Sequence, residues 1–205
     1  MQKLFLFDFD GVIVDSLEVY ERRVKLCLEK IGKPVVQSRA DFLALFEDNF
    51  YEAIVKKGVD LAQFMDVLNG MPMHDDYDKM LPFAPMFSVL EELKKENILE
   101  VISSNLSSVI HTLLSRYNFN GCFREILGAD AGFSKQEKIC HAMNVFQMEK
   151  NRTYYIGDTS GDIKEARMAG VKTVAVTWGW HTREMFDKVK PDYLIETPDD
   201  LLDLK

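Results

Sequence analysis

Asp8 and Asp10 stand two residues apart where the apolar run at residues 4–7 stops, and Gly11 follows them. Two acids and a glycine suit a turn, because their side chains and φ ranges fit turn positions. They also suit a site for a cation and a phosphate. Successive strand side chains alternate, so positions i and i+2 share a face and both carboxylates point the same way. Two carboxylates that close raise each other's pKa unless a cation neutralises them.

Residues of matching chemistry recur along the chain. The segment VISSN ends in Ser103, Ser104 and Asn105, FSKQEK carries Lys135 with Lys138 one helical turn on, and YYIGDTSGD holds Asp158 and Asp162. Hydroxyls and a lysine can hold phosphoryl oxygens, and carboxylate oxygens suit a hard cation. Each residue also has a plainer reading. Asp162 fits a helix N-terminus, where an acid is favoured by the macrodipole, and a lone Lys is usually solvated.

The elements that must position these groups follow from periodicity. Residues 3–8 read as a buried strand. From residue 17 to about residue 81 no strand signal appears. SLEVYERRVKLCLEKIG has helical spacing, with Ser16 as a possible N-cap and Gly32 as a C-cap. A second helix spans the stretch between Ser38 and Gly58, and DLAQFMDVLNG forms a third. After Pro82 strands and helices alternate: helices in APMFSVLEELKKENI, LSSVIHTLLSRYN, KQEKICHAMNVF and DIKEARMAG, and strands in LEVISSN, FREILGAD, RTYYIGDTSGD and VKTVAVTWG. PDYLIETPDDLLDL adds a last strand and a short helix. Apolar strands alternating with helices predict a parallel sheet covered on both faces. The expected architecture is α/β: a Rossmann-like three-layer core from residues 1–15 and 83–205, with a small all-helical cap domain, residues 16–82, inserted after the first strand. In such sheets ligands bind outside the carboxyl ends of the strands, which is where these polar residues fall.

The bulk composition sets bounds. The chain has 205 residues and a net charge of −8. Nucleic acid is an unexpected partner, because its binding leans on neutralising Lys and Arg. No segment reaches the ~18 apolar residues of a membrane helix, and no signal-peptide pattern opens the chain. Cys27, Cys122 and Cys140 fit no metal spacing and suggest reduced thiols. The expectation is a cytoplasmic protein, monomer or homodimer. The four histidines show no metal spacing and read by default as surface or packing residues. His181, in TWGWHT, follows the last strand of the alternating block and could line the rim of the site.

DFDGVIVDS, ISSN, FSKQEK and GDTSGDIKEARMAG, in this order and spacing, resemble the four motifs of the haloacid dehalogenase superfamily. The resemblance covers essentially the whole chain, and its nearest branches are the phosphoglycolate phosphatase-like hydrolases and β-phosphoglucomutase. It implies a Mg²⁺-dependent phosphatase acting on a small phosphorylated metabolite. Asp8 would be the nucleophile and form an aspartyl-phosphate. Asp10 would protonate the leaving alcohol and then take a proton from water. The implied Mg²⁺ ligands are the carboxylates of Asp8 and Asp158 and the main-chain carbonyl of Asp10, with Asp162 acting through water or as a support. Ser104 and the Asn105 backbone N–H would donate to the phosphate, with Ser103 as the alternative. Lys135 would pair with the phosphate and with Asp8, with Lys138 as its rival. Backbone amides around Phe9 and Asp10 would add a cradle. Arg22, Arg23, Lys25 and Arg39 are unranked cap candidates for specificity.

The sequence departs from the family pattern at Val12, where the phosphatase branch usually has Thr, at Gln136 after Lys135, and at Ala84-Pro85. The rivals are a sugar-phosphate mutase, a metal-free 2-haloacid dehalogenase and a catalytically silent binding module. Asp10 and Asp158 weigh against the dehalogenase. The intact set Asp8, Asp10, Ser104, Lys135 and Asp158 weighs against the silent module.

Overall fold

The chain enters as β1 (Leu4–Phe7), every residue of which is buried. In the computed structural model, residues 1–131 and 134–204 are described, with Asp75 described by its backbone alone. The expected strand stops at Phe7, one residue short of Asp8, and a tight turn follows. There the amides of Ile13 and Val14 both donate to the Phe9 carbonyl, and Gly11 takes a φ of 76°. The chain then passes through the two-residue β2 (Val14–Asp15) into the helical insertion.

That insertion contains α1 (Leu17–Lys30), α2 (Arg39–Ala44), α3 (Phe50–Lys56) and α4 (Leu61–Gly70). One helix was expected between Ser38 and Gly58; two form. Asn49 interrupts the run by accepting from the amides of Tyr51 and Glu52, which caps α3 and leaves residues 45–49 as a loop. Ser16 makes no side-chain cap, while Gly32 ends α1 in the left-handed region at φ 71°. The helices close on their own apolar cluster, with Cys27, Leu28, Phe42, Leu45, Ile54 and Phe64 at its centre. The exit is β3 (Leu81–Pro82), antiparallel to β2. This ribbon carries no periodicity, because each strand has only two residues, and it was not expected.

The remaining chain builds the layers. It runs through α5 (Met86–Leu93), β4 (Ile98–Ile102), α6 (Ser107–Arg116), β5 (Ile126–Leu127), α7 (Lys135–Val145), β6 (Thr153–Gly157), α8 (Ser160–Ala169), β7 (Lys172–Val176), α9 (Arg183–Val189) and β8 (Tyr193–Ile195). The helix α9 was not expected, and the anticipated terminal helix is a 3-10 segment at Pro198–Leu204. The sheet order is β5-β4-β1-β6-β7-β8, and every pairing in it is parallel.

The alternation of β1 explains its unbroken apolar sequence. Phe5 and Phe7 join the cluster formed with Val89, Leu90, Ile110 and Leu113 of α5 and α6. Leu4 and Leu6 join the opposite cluster with Ile139 and Ala142 of α7 and Ala166 of α8. A central parallel strand has no solvent face, so both parities must be apolar. The result is the expected three-layer α/β fold with a helical insertion after the first strand. Its central strands β1 and β6 end side by side, and the polar residues begin at that edge.

Candidate active site

Asp8 is the first residue past β1. Its amide still donates to the Ile156 carbonyl of β6 at 2.8 Å, which fixes its backbone to the sheet. The residue is 6% exposed. Oδ1 accepts from the Phe9 amide at 2.7 Å and Oδ2 from Lys135 Nζ at 2.6 Å. Asp10 also lines the cavity, but its direction comes from the turn closed on the Phe9 carbonyl, not from the strand pleat. Asp10 Oδ2 accepts from the Asn105 carboxamide at 3.1 Å, while Oδ1 is buried without a partner.

Asp158 follows β6 and is fully buried. Oδ2 accepts from the Trp180 amide at 2.8 Å, and Oδ1 has no partner. Asp162 is the third helical residue of α8. It completes a capping box, with Oδ2 accepting from the Thr159 amide and hydroxyl, and the Thr159 hydroxyl accepting from the Asp162 amide. The helix-start reading of Asp162 describes this capping box, and its other oxygen accepts from Lys135 Nζ at 2.5 Å. Ligand atoms of Asp8, Asp158 and Asp162 all lie within 4.8 Å of one another.

The two lysines separate clearly. Lys135, 8% exposed, bridges Asp8 and Asp162. Lys138 donates to the carbonyls of Ser103 and Gly128 and so ties together the ends of β4 and β5. The two serines separate as well. The Ser103 hydroxyl accepts from the Asn105 amide. Ser104 lines the cavity and its hydroxyl is unengaged among the described residues; its carbonyl accepts from the Tyr51 hydroxyl of α3. Two expectations are corrected here. The Asn105 backbone N–H is turned to Ser103, so Asn105 reaches the site through its carboxamide on Asp10. The Phe9 amide is held by Asp8 Oδ1 and is not free to cradle an anion.

Electrostatics follow from burial. Desolvation raises Asp8 to about 6, with Lys135 opposing it and Asp162 adding to it. Desolvation and the Asp8 charge raise Asp10 to about 7. Asp158 is pushed well above the usual carboxylate range by burial and by its neighbours Asp162 and Asp8. Burial alone would lower Lys135, but Asp162 and Asp8 hold it well above its usual value. Burial lowers Lys138 to about 8, with the Lys135 charge adding to it. Three crowded carboxylates, one carrying a buried unpartnered oxygen, form the donor set that a hard divalent cation satisfies.

Several residues of the site were not singled out from the sequence. The segment after β7 folds back over the strand ends, and Trp180 meets Tyr20, Phe42 and Phe46 with ring centroids at 6.4, 5.5 and 4.8 Å. A Cβ on Gly11 would overlap the Asp158 carboxylate, so the turn approaches that acid with backbone alone. His181 is buried. Its Nδ1 accepts from the Ser160 amide at 3.0 Å, and Nε2 lies 3.1 Å from the Leu43 carbonyl of α2. His181 thus joins the insertion to the N-terminus of α8, a packing role in line with the default reading of the histidines and not the rim offered as its alternative. The clue was the Gly-Trp-His run directly after a predicted strand. Of the four basic candidates in the insertion, only Arg23 lines the cavity; Arg22 pairs with Asp76, and Lys25 and Arg39 pair with Glu21.

The cavity holds about 160 Å³ between the strand ends and the helical insertion. No described helix is long and apolar enough to cross a membrane.

Comparison with known proteins places the whole arrangement. The sequence profile of the haloacid dehalogenase-like hydrolases matches residues 5–176. The phosphoglycolate phosphatase of Synechococcus elongatus is 26% identical over 200 residues, covering 96% of this chain and 94% of that protein. The pyrophosphatase PpaX of Listeria welshimeri is 24% identical over 204 residues, covering 96% of this chain and 93% of that protein. A solved haloacid dehalogenase-like family hydrolase from Streptococcus pneumoniae matches with a TM-score of 0.81 at 19% identity, over 99% of this chain and 98% of its own.

Proposed function

The chain belongs to the haloacid dehalogenase-like hydrolases, and from that premise we propose that it is a Mg²⁺-dependent phosphatase acting on a phosphate monoester of a small metabolite. The core is residues 1–15 and 83–205, and residues 16–82 are the cap over the site. The observation that carries this reading is Lys135 Nζ set between Asp8 and Asp162, beside the unpartnered oxygen of Asp158. A nucleophile, its cation and a metal-ready carboxylate pair occupy one buried point.

Asp8 attacks phosphorus, and the bond from phosphorus to the ester oxygen breaks. Asp10 gives its proton to the departing alkoxide. Its pKa of about 7 keeps that proton available near neutrality. The carboxamide of Asn105 orients it. Water then attacks the aspartyl-phosphate, Asp10 takes the water's proton, and inorganic phosphate leaves Asp8 free. Lys135 balances charge on Asp8 and on the transferred group. Ser104 holds a phosphoryl oxygen.

Asp8 and Asp158 supply carboxylates to Mg²⁺ and Asp10 its main-chain carbonyl. Asp162, engaged by Thr159 and Lys135, supports them or binds through water. When bound, Mg²⁺ neutralises charge on the phosphoryl oxygens. The test is phosphate release from a panel of phosphate monoesters, with Mg²⁺ or with chelator, for the wild type and Asp8→Asn. Mg²⁺-dependent release that Asp8→Asn abolishes is the expected result. A folded wild type that releases no phosphate from any ester overturns the reading.

A further inference from the structure

The cap lines the cavity with an apolar group, Phe46, Phe50, Met65, Leu68 and Met71, with Trp180 of the core beside them, and with the neutral polar side chains of Asn49, Tyr51 and Asn69. Two cations line the cavity among the described residues, Lys135 and Arg23. Lys135 is occupied by Asp8 and Asp162. Arg23 is 4% exposed and its terminal nitrogens are already used: Nη1 donates to the Pro72 carbonyl at 2.7 Å and reaches Asp76 at 3.5 Å, and Nη2 donates to the carbonyls of Leu68 and Met71. The bidentate fork that recognises a carboxylate or a phosphate is therefore closed. Only Arg23 Nε remains, buried without a partner, and Trp180 Nε1 is in the same condition.

The charge balance points the same way. The carboxylates of the reaction centre share the cavity with Glu165, and with Asp48, which is paired with Lys164. A second anionic group on the substrate would enter a negative, poorly hydrated space with no free cation to meet it. An apolar group would instead bury itself against aromatic and methionine side chains, and methionine adapts its shape to what it packs on. The volume of about 160 Å³ leaves room for a phosphoryl group and one ring.

Resting on the phosphatase reading above, we propose that the alcohol released from the ester is uncharged and carries an apolar ring. This class differs from phosphoglycolate, whose second group is a carboxylate, and from pyrophosphate, whose second group is another phosphate.

The test compares kcat/KM for benzyl phosphate and 2-phosphoglycolate with the Mg²⁺-loaded wild type. Both esters release a primary alkoxide, so the comparison reads the pocket. The expected result is a preference of at least roughly tenfold for benzyl phosphate, the scale at which a hydrophobic pocket discriminates. Met65→Lys, which adds a cation to the wall, is expected to shift that ratio at least roughly tenfold towards phosphoglycolate. Equal or faster turnover of phosphoglycolate by the wild type overturns the proposal. Calorimetric binding of both esters to Asp8→Asn separates this outcome from failure of the phosphatase reading. If no ester of the wider panel is hydrolysed, that reading falls, and the affinity order still decides the alcohol class. Tighter benzyl phosphate supports the proposal and tighter phosphoglycolate overturns it.

Discussion

The Gly161 amide, at the start of α8, donates to the Phe46 carbonyl in the cap loop at 2.9 Å. A Cβ at Gly161 would overlap the Asp48 carbonyl in the same loop. The cap therefore rests on bare backbone immediately beside Asp162, and Lys164–Asp48 at 2.6 Å flanks the contact. Gly161→Ala is expected to leave the fold intact, since alanine favours a helix by about 1 kcal/mol over glycine. It should lift the cap loop and lower kcat/KM by roughly tenfold to a hundredfold, the range expected when a closing element is misplaced. Steady-state kinetics beside a thermal melt check this. An unchanged kcat/KM would show that the contact does not position the cap.

Asp10→Asn is expected to separate chemistry by leaving group. An alkyl alkoxide needs the proton, so kcat for alkyl esters should fall roughly 10²–10⁴-fold. A nitrophenolate leaves without protonation, so the loss in the phosphorylation step should be much smaller for its ester. A pre-steady-state burst of nitrophenol with slow turnover is the expected signature, because the same residue also deprotonates the water. An equal loss of burst rate for both esters would remove Asp10 as the acid.

On the proposed reading, cation binding and protonation compete at this site. A carboxylate whose folded pKa is raised binds its proton more tightly when folded. Its contribution to stability is complete below the unfolded value of 3.8 and is lost as pH rises towards about 6 for Asp8 and about 7 for Asp10. The metal-free protein should thus lose stability between pH 4 and pH 7 from these groups. Mg²⁺ reverses that loss, since it needs ionised ligands. At a hundredfold excess over Kd, Mg²⁺ should raise Tm by roughly 5–10 °C at pH 8 and by far less at pH 5. Paired melts with Mg²⁺ and with chelator measure it. A larger shift at pH 5 would contradict the assignment.

Glu100, on β4 opposite Leu6, is completely buried, and neither of its oxygens has a partner. Burial, with a smaller push from Glu125, raises it from 4.5 to about 8. It is therefore protonated in the folded protein at neutral pH, and its effect on stability worsens as pH rises from 4.5 to 8. Glu100→Leu should stabilise the protein by roughly 3 kcal/mol at pH 7 and flatten the dependence between pH 5 and pH 8. Urea unfolding across that range reads both. A destabilised variant with the same pH slope as the wild type would show that Glu100 is met by a partner.

Much of this protein was legible in its order of residues. The apolar strands, the glycine and acid clusters at their ends, and the helical block between residues 17 and 81 follow from short-range periodicity. They pointed to the parallel sheet, the insertion and the acids proposed for catalysis, because a buried strand must be apolar on both faces and can become polar only where it ends. Asp8, Asp10 and Asp158 were visible for that reason. What periodicity cannot carry is which distant groups meet. Lys135 and Lys138 are both basic residues one turn apart, and only the placement of α7 against β1 and β4 turns one to Asp8 and the other to the Ser103 and Gly128 carbonyls. The β2–β3 ribbon and α9 were too short to show a period. The closed fork of Arg23 depends on three carbonyls some 45–49 residues away in the chain. Sequence sets the chemistry available at each strand end. Packing decides which of those groups remains free to use it, because a hydrogen bond already made in the core removes a donor or acceptor from the site.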